Sequence, residues 1–227
     1  MMPLRVCSID VGIVHLALVG VELETDERGL LQQPLCASFT ACELIDLTCL
    51  PHTRVTREVC KLYHSKGLFD RVSHFLQEYK HVLDACDVLL IERQPIMGLV
   101  AVEQLILGHY RDKTTLVSPN SMHKFFNIRQ YTYEGRKEQT VAIACKLLEN
   151  HGDTLKKMQR HERQHDIADA LVLMYFFLHG KHEREVEKWE HEQRQKEARE
   201  LGKLENPFEK FKYRGNLTEK IVNKISK

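Results

Sequence analysis

The 227-residue chain lacks a marked excess of charge of either sign, because 33 Lys and Arg residues stand against 32 Asp and Glu residues. A net charge of +1 produces no overall basic field, so a polyanionic partner would have to be held by a local patch. The charge is unevenly spread: from Lys181 onward there are 13 basic and 10 acidic residues, whereas the preceding part is slightly acidic.

The sequence also lacks paired cysteines and a membrane-length apolar run. Its seven cysteines include no Cys-x-x-Cys pair, which favours free thiols in a reducing compartment over a disulfide framework or a zinc site. The most apolar run, "IADALVLMYFFL", is shorter than the ~20 residues that span a bilayer, and it contains an acid. A strand pattern begins at Leu4 and leaves no room for a targeting peptide. We therefore expect a soluble, intracellular protein without a membrane segment.

The order of hydrophobic patterns predicts an α/β fold. Residues 4–10 and 13–23 indicate two strands joined tightly at Val11-Gly12, and 35–47 adds a third strand to this meander. The later segments are predicted as a helix over 53–86, a buried strand over 87–92, a helix over 97–110, a strand over 113–119, a loop over 131–137, a helix over 136–150 and a last helix over 164–179. This order favours a five-stranded mixed sheet, with an antiparallel meander and parallel crossovers flanked by helices.

The composition changes abruptly after Gly180. We predict a folded domain over 1–180 and a charged extension over 181–227 that is helical or partly disordered. Within the extension, "NPFEKFKYRG" interleaves aromatic and basic residues, which suits either a nucleic-acid contact or a tether that docks on the core.

Four acids occupy positions where an acid is costly to bury. Asp10 interrupts the first strand, Glu92 closes the strand "DVLLIE", and Asp166 and Asp169 share one face of the last apolar helix. Parallel pairing of the two strands would place Glu92 beside Asp10, and a helix packed on that edge would add the other two acids. Four like charges at one place need compensation, which oxygen-bound divalent cations such as Mg²⁺ provide.

Each acid also has a structural interpretation that is simpler when the acid is considered alone. Asp10 could accept hydrogen bonds from the turn at Gly12, Glu92 could pair with Arg93, Asp166 could cap the last helix, and Asp169 could face solvent. Together these interpretations are less convincing, because the apolar neighbours of Asp166 and Asp169 leave that helix little polar face.

Three segments in order, "SIDVGIVHLALV", "LLIERQ" and "RQHDIADALVL", resemble the acidic motifs of RuvC-like Holliday junction resolvases of the RNase H-like superfamily. The similarity is greater to the poxvirus-type and fungal mitochondrial branch, and it runs from about Leu4 to His179. The resemblance implies an RNase H-like nuclease domain, a homodimer, and paired nicking of four-way DNA junctions that depends on Mg²⁺ or Mn²⁺, with two ions in each active site.

The resemblance also implies roles for particular residues. Asp10, Glu92, Asp166 and Asp169 match the catalytic metal ligands of the family. Basic and polar residues near these motifs are candidate DNA contacts: Arg93, Gln94, Lys124, Arg136 and Lys137. Tyr131 and Tyr133 are candidates for stacking on exposed bases, although aromatic residues that cap the core would have the same pattern.

Other functions remain open at the level of sequence. "IDVGIVHLA" also resembles the first phosphate loop of sugar kinase and actin-like ATPases, but the second phosphate loop and the glycine-rich adenosine motif of those proteins are missing. A nuclease that cuts RNA–DNA hybrid or flap DNA and a non-catalytic junction-binding module are the remaining alternatives. The cytoplasm, the nucleus and a viral replication site are all compatible locations.

Overall fold

The computed structural model describes residues 3–26, 37–48 and 67–203, with no side-chain description for Ala37 and 197–203. The first part of the predicted helix over 53–86 and the segment "NPFEKFKYRG" lie outside the described residues. The chain divides into two compact units, Met1–Gly180 and Lys181–Lys227. The functional separation of the second unit stays a prediction.

A five-stranded sheet in the order β3–β2–β1–β4–β5 forms the centre of the first unit. The strands are β1 (Leu4–Asp10), β2 (Leu16–Leu23), β3 (Ala37–Ile45), β4 (Val88–Glu92) and β5 (Thr114–Val117). The pairs β1–β2 and β2–β3 are antiparallel, whereas β1–β4 and β4–β5 are parallel. The predicted mixed sheet is therefore confirmed.

Seven α-helices are present in the described part of the chain. They are α1 (Leu68–Glu78), α2 (Lys80–Ala85), α3 (Val100–His109), α4 (Pro119–Phe125), α5 (Tyr133–Leu147), α6 (Gly152–Gln159) and α7 (Gln164–Lys203). None of the helices in the described residues is long and apolar enough to cross a membrane.

The sheet separates two hydrophobic cores, and strand alternation decides which side chains enter each. Val6 of β1 and Leu90 of β4 pack in the core that contains the apolar side of α7. Ile9 and Ile91 face the opposite core with α1 and α3. Because side chains alternate along a strand, the residue that follows each of these isoleucines points back toward α7.

The connection between β1 and β2 corrects one prediction. It is not a tight turn at Val11-Gly12, because β2 begins at Leu16 and the five residues 11–15 join the two strands. Ile13 does not continue β2: its carbonyl accepts a hydrogen bond of 2.8 Å from the Leu47 N–H, beyond the end of β3. Gly12 is required for space, since a Cβ there would lie 2.1 Å from the His15 carbonyl oxygen.

The helices also differ from the predicted ones. The segment "YTYEGRK" is not a loop throughout, since α5 begins at Tyr133, where the Thr132 Oγ1 accepts the Gly135 N–H at 3.2 Å. The helix predicted over 53–86 is two helices in its described part, with Tyr79 between them. Helix α6 was not predicted. Helix α7 does not end at His179 but continues to Lys203, into the extension for which a helix was one of the two expectations.

Candidate active site

Two of the four candidate acids meet at the carboxyl edge of the central strands. Asp10 ends β1 and Glu92 ends β4, and the parallel register pairs Ile9 with Ile91 immediately before them. Both side chains therefore point to the α7 side of the sheet, and they share a hydrogen bond. The predicted proximity of Asp10 and Glu92 follows directly from this register.

Helix α7 brings the other two acids to the same place. Asp166 and Asp169 lie in its first turns, three residues apart, and both line a cleft of about 400 Å³ together with Asp10 and Glu92. The apolar residues around them pack under the sheet, as in the case of Ile167 and Ala168, which are almost fully buried. Burial of this face holds the two acids at the strand ends.

The pKa of the Asp10 carboxyl is raised well above its usual range. Burial is the largest cause, followed by the negative charges of Glu92 and Asp169. The pKa of Glu92 is also raised by burial, although hydrogen bonds from Asp10 and Gln94 oppose the shift. Burial and mutual repulsion therefore both disfavour full ionisation of the Asp10–Glu92 pair.

The pKa of Asp169 is raised to about 7, first by burial and then by the charge of Glu92. A hydrogen bond with Thr140 acts in the opposite direction. Thr140 is buried, and its Oγ1 lies 2.9 Å from the Arg136 carbonyl oxygen on α5, so its single hydroxyl proton has two alternative acceptors. The cleft thus concentrates negative charge that the protein alone leaves partly uncompensated.

Asp166 has a cationic partner. Arg163 donates from Nε to Oδ2 at 2.8 Å and from Nη2 to Oδ1 at 3.3 Å, and Asp166 itself is buried. The Nε2 of His165 lies 3.2 Å from the Asp166 Oδ1, but burial lowers the pKa of His165, so this ring is mostly neutral near pH 7.

Three of the five candidate DNA contacts line the cleft: Gln94, Arg136 and Lys137. Lys137 Nζ lies 4.2 Å from the centre of the Tyr133 ring, and Tyr133 also lines the cleft. The other two candidates, Arg93 and Lys124, are exposed and are not among the lining residues. Tyr131 is exposed and likewise outside the lining.

Several residues of the site were not found from the sequence. Arg163, Thr140 and His123 line the cleft. Glu103 is only 3% exposed, and its carboxylate accepts the Gln94 backbone N–H at 2.6 Å, which fixes the loop after Glu92. The i, i+3 spacing of Arg163 and Asp166 was a visible signal, whereas Glu103 lies in an ordinary apolar helix pattern.

The four carboxylates suit a hard divalent cation, which prefers oxygen ligands. Three of them, Asp10, Glu92 and Asp169, have raised pKa values, and the fourth, Asp166, is paired with Arg163. Among the described residues, no three His, Cys, Asp or Glu side chains stand in a ready-made metal cluster. Asp166 explains part of this, since its two oxygens are engaged by Arg163. The residues therefore fit a metal in their chemistry, and binding requires side-chain rearrangement.

The five-stranded mixed sheet with its flanking helices is an RNase H-like fold of the kind found in RuvC-type structures. The structure is similar to that of a fowlpox virus resolvase in complex with Holliday junction DNA, with a TM-score of 0.52, 18% identity, and coverage of 78% of this chain and 98% of that chain. It is also similar to the yeast mitochondrial Holliday junction resolvase, with a TM-score of 0.52, 15% identity and coverage of 77% and 79%. Thermus thermophilus RuvC matches with a TM-score of 0.50, 16% identity and coverage of 78% and 97%.

The family is established by sequence. The model of the poxvirus A22 protein family matches residues 5–179, which is most of the chain. The chain belongs to this family. A search of curated proteins finds no match.

Proposed function

We propose that this protein is a structure-selective DNA endonuclease that resolves four-way (Holliday) junctions by paired, metal-dependent hydrolysis of phosphodiester bonds. The observation that carries the proposal is the meeting of Asp10, Glu92, Asp166 and Asp169, from three distant parts of the sequence, in one cleft. Family membership and the junction-resolving activity named for two of the similar structures support the choice of substrate.

The proposed cofactor is Mg²⁺ or Mn²⁺, with two ions in each active site held by Asp10, Glu92, Asp166 and Asp169. Such ions, when bound, lower the pKa of water and neutralise charge on the attacking and leaving oxygens. The raised pKa values of Asp10, Glu92 and Asp169 support this proposal, because cations would remove the repulsion and burial cost that cause them.

The remaining residues of the cleft would position the DNA. Arg136 and Lys137 lie near the N-terminus of α5, and the positive end of a helix dipole also favours phosphate. The Arg136 Nη1 donates to the Tyr131 carbonyl at 2.8 Å, which orients the side chain along the cleft wall. Tyr133 is 60% exposed beside Lys137 and offers a face on which an unpaired base can stack.

A homodimer would supply the two active sites that paired nicking of a symmetric junction requires. An apolar surface on the loop between β4 and α3 supports a contact there, since Ile96 and Met97 are each 95% exposed. Of the earlier candidates, Arg93 follows Glu92 on this same loop and would contact DNA outside the cleft, as would Lys124 on α4.

The function is tested by offering one protein sample four labelled substrates with Mg²⁺ or Mn²⁺: a four-way junction, a flap, an RNA–DNA hybrid and plain duplex. We expect symmetric paired nicks in the junction, which disappear in Asp10→Asn. Efficient cutting of the hybrid or the flap, with the junction left intact, would replace this proposal by one of the alternative nuclease functions. Junction binding without any cutting would indicate a non-catalytic module.

A further inference from the structure

The ion pair between Arg163 and Asp166 has a geometry that uses both carboxylate oxygens. The guanidinium donates from Nε to one oxygen at 2.8 Å and from Nη2 to the other at 3.3 Å. Bidentate pairs of this kind are among the stronger side-chain hydrogen-bond arrangements. While the pair is closed, Asp166 has few free lone pairs for any other cation.

Arg163 is the more accessible partner of this pair. It lies in the turn between α6 and α7, its side chain is 41% exposed, and it lines the same cleft as the four acids. Asp166 cannot leave the cleft in the same way, because it is buried in the first turn of α7. The arginine is therefore the mobile member of the pair.

Among the described side chains that contact Asp166, Arg163 alone engages both carboxylate oxygens. His165 is the second neighbour, and its Nε2 lies 3.2 Å from one oxygen, Oδ1. When Arg163 moves away, Asp166 therefore loses its two-pronged cationic partner in a cleft that it shares with Asp10, Glu92 and Asp169. Release of Arg163 is favourable only if a cation replaces it.

We propose that Arg163 is a positioning residue that exchanges partners: it holds Asp166 in the unloaded cleft, and it moves to a DNA phosphate when Asp166 binds a divalent cation. This inference rests on the proposed function. It implies that metal and DNA assist each other, because a phosphate draws Arg163 from Asp166 and a metal frees Arg163 for the phosphate. Such coupling is reciprocal by thermodynamic necessity.

The first experiment measures Mn²⁺ binding to the full chain without DNA, by electron paramagnetic resonance of the free ion. We expect Arg163→Gln to bind Mn²⁺ roughly three- to tenfold more tightly than the unmodified protein, because a partly exposed charged pair no longer competes for Asp166. Arg136→Gln is the matched control, since it removes the same charge from the same cleft, where the Arg136 side chain donates to the backbone carbonyl of Tyr131 and not to an acid of the site. Equal tightening in both variants would overturn the proposal, because it would show a general charge effect.

A second variant separates charge from geometry. Arg163→Lys keeps the positive charge but cannot form the two-pronged contact. We expect Mn²⁺ affinity between that of the unmodified protein and that of Arg163→Gln. An affinity equal to that of the unmodified protein would contradict a role for the bidentate pair.

The second experiment measures the coupling itself, as the affinity for a four-way junction in EDTA and in Ca²⁺, with cleavage products checked in each sample. We expect Ca²⁺ to strengthen junction binding about fivefold or more in the unmodified protein and in Arg160→Gln, a nearby exposed control. Arg163→Gln should lose most of this gain. An unchanged gain in Arg163→Gln would overturn the proposal.

The two proposals fail in different ways. If the junction is bound but not cut by the unmodified protein, the proposed activity fails, whereas the Mn²⁺ measurements still decide the role of Arg163. If the junction is cut in paired nicks but Arg163→Gln shows neither the tighter Mn²⁺ binding nor the lost coupling, only the exchange of partners is refuted.

Discussion

The carboxyl group of Asp169 makes the stability of the metal-free protein depend on pH. Its pKa is about 7 in the folded chain, compared with 3.8 as the ordinary value. Between these two pH values the folded state holds a proton that the unfolded state has released. Folding therefore becomes less favourable as pH rises from about 4 to about 7, and the cost is constant above that range.

Asp169→Asn should remove this cost, so the metal-free variant should be more stable than the unmodified protein at pH 8 by on the order of 2 kcal/mol. At pH 4 the difference should be much smaller, because the folded carboxyl is then protonated and the unfolded one is ionised in only about half of the chains. Thermal unfolding in EDTA over pH 4 to 8 measures the difference, with the exposed Asp112→Asn as control. An equal gain at pH 4 and pH 8, or a clear loss at pH 8, would show that Asp169 has a structural role.

For single residues, the sequence pointed to the four acids of the cleft, whereas it did not point to most of the side chains that contact them. Asp10, Glu92, Asp166 and Asp169 stand out because each interrupts an apolar pattern, and the structure brings all four to one cleft. The role of Glu103 could not be predicted, because a single acid in a helix is usually exposed to solvent. Its burial is explained by its hydrogen bond to the loop after Glu92, which is a tertiary contact. Distance from a motif did not predict which basic residues line the cleft, since Arg93 directly follows Glu92 and lies outside the lining, whereas Arg136 is part of it.

The connection between β1 and β2 shows that apolar alternation predicts strands but not where they end. The alternation of apolar residues predicted both strands, but Ile13 and Val14 extended that pattern into the connection. In the folded chain Ile13 bonds to Leu47 and Val14 is 47% exposed, so tertiary contacts override the local pattern. Similarly, Thr132 is a good helix cap that the aromatic and glycine content of the segment concealed.

Gly12→Ala should destabilise the protein by roughly 2 kcal/mol or more, because the new Cβ would meet the His15 carbonyl oxygen at 2.1 Å. The carbonyl belongs to the backbone and cannot rotate away, so residues 11–15 must shift beside Asp10. Gly108→Ala is the matched control: Gly108 lies within α3 with open space around it, and the change should stabilise by about 1 kcal/mol.

Urea unfolding measures both glycine variants, and junction cleavage shows whether the shift at Gly12 reaches the acids. We expect lost or reduced cleavage in Gly12→Ala and unchanged cleavage in Gly108→Ala. A Gly12→Ala protein that is as stable and active as the unmodified chain would mean that the connection adapts without moving Asp10.

At the scale of the whole molecule, the family and the sheet order were predictable because three motifs lie at the ends of elements that a parallel register must bring together. Assembly was not predictable in the same way. A dimer surface is made of side chains that are exposed in one chain, and single exposed apolar residues are common on monomers. The exposure of Ile96 and Met97 supports a dimer contact only in combination with the nearby cleft and the proposed paired reaction.

The proposed homodimer predicts a specific outcome when two kinds of subunit are mixed. Co-expressed unmodified and Asp10→Asn chains in equal amounts should give about half mixed dimers, each with one working active site, if pairing is random. On a plasmid that extrudes a four-way junction, unmodified dimers should give linear product by paired nicks, whereas mixed dimers should give nicked circles. Asp112→Asn in place of Asp10→Asn should give linear product only, and sedimentation should show twice the mass of one chain. Nicked circles from the unmodified protein alone, or a monomer by sedimentation with the junction present, would exclude the dimeric mechanism.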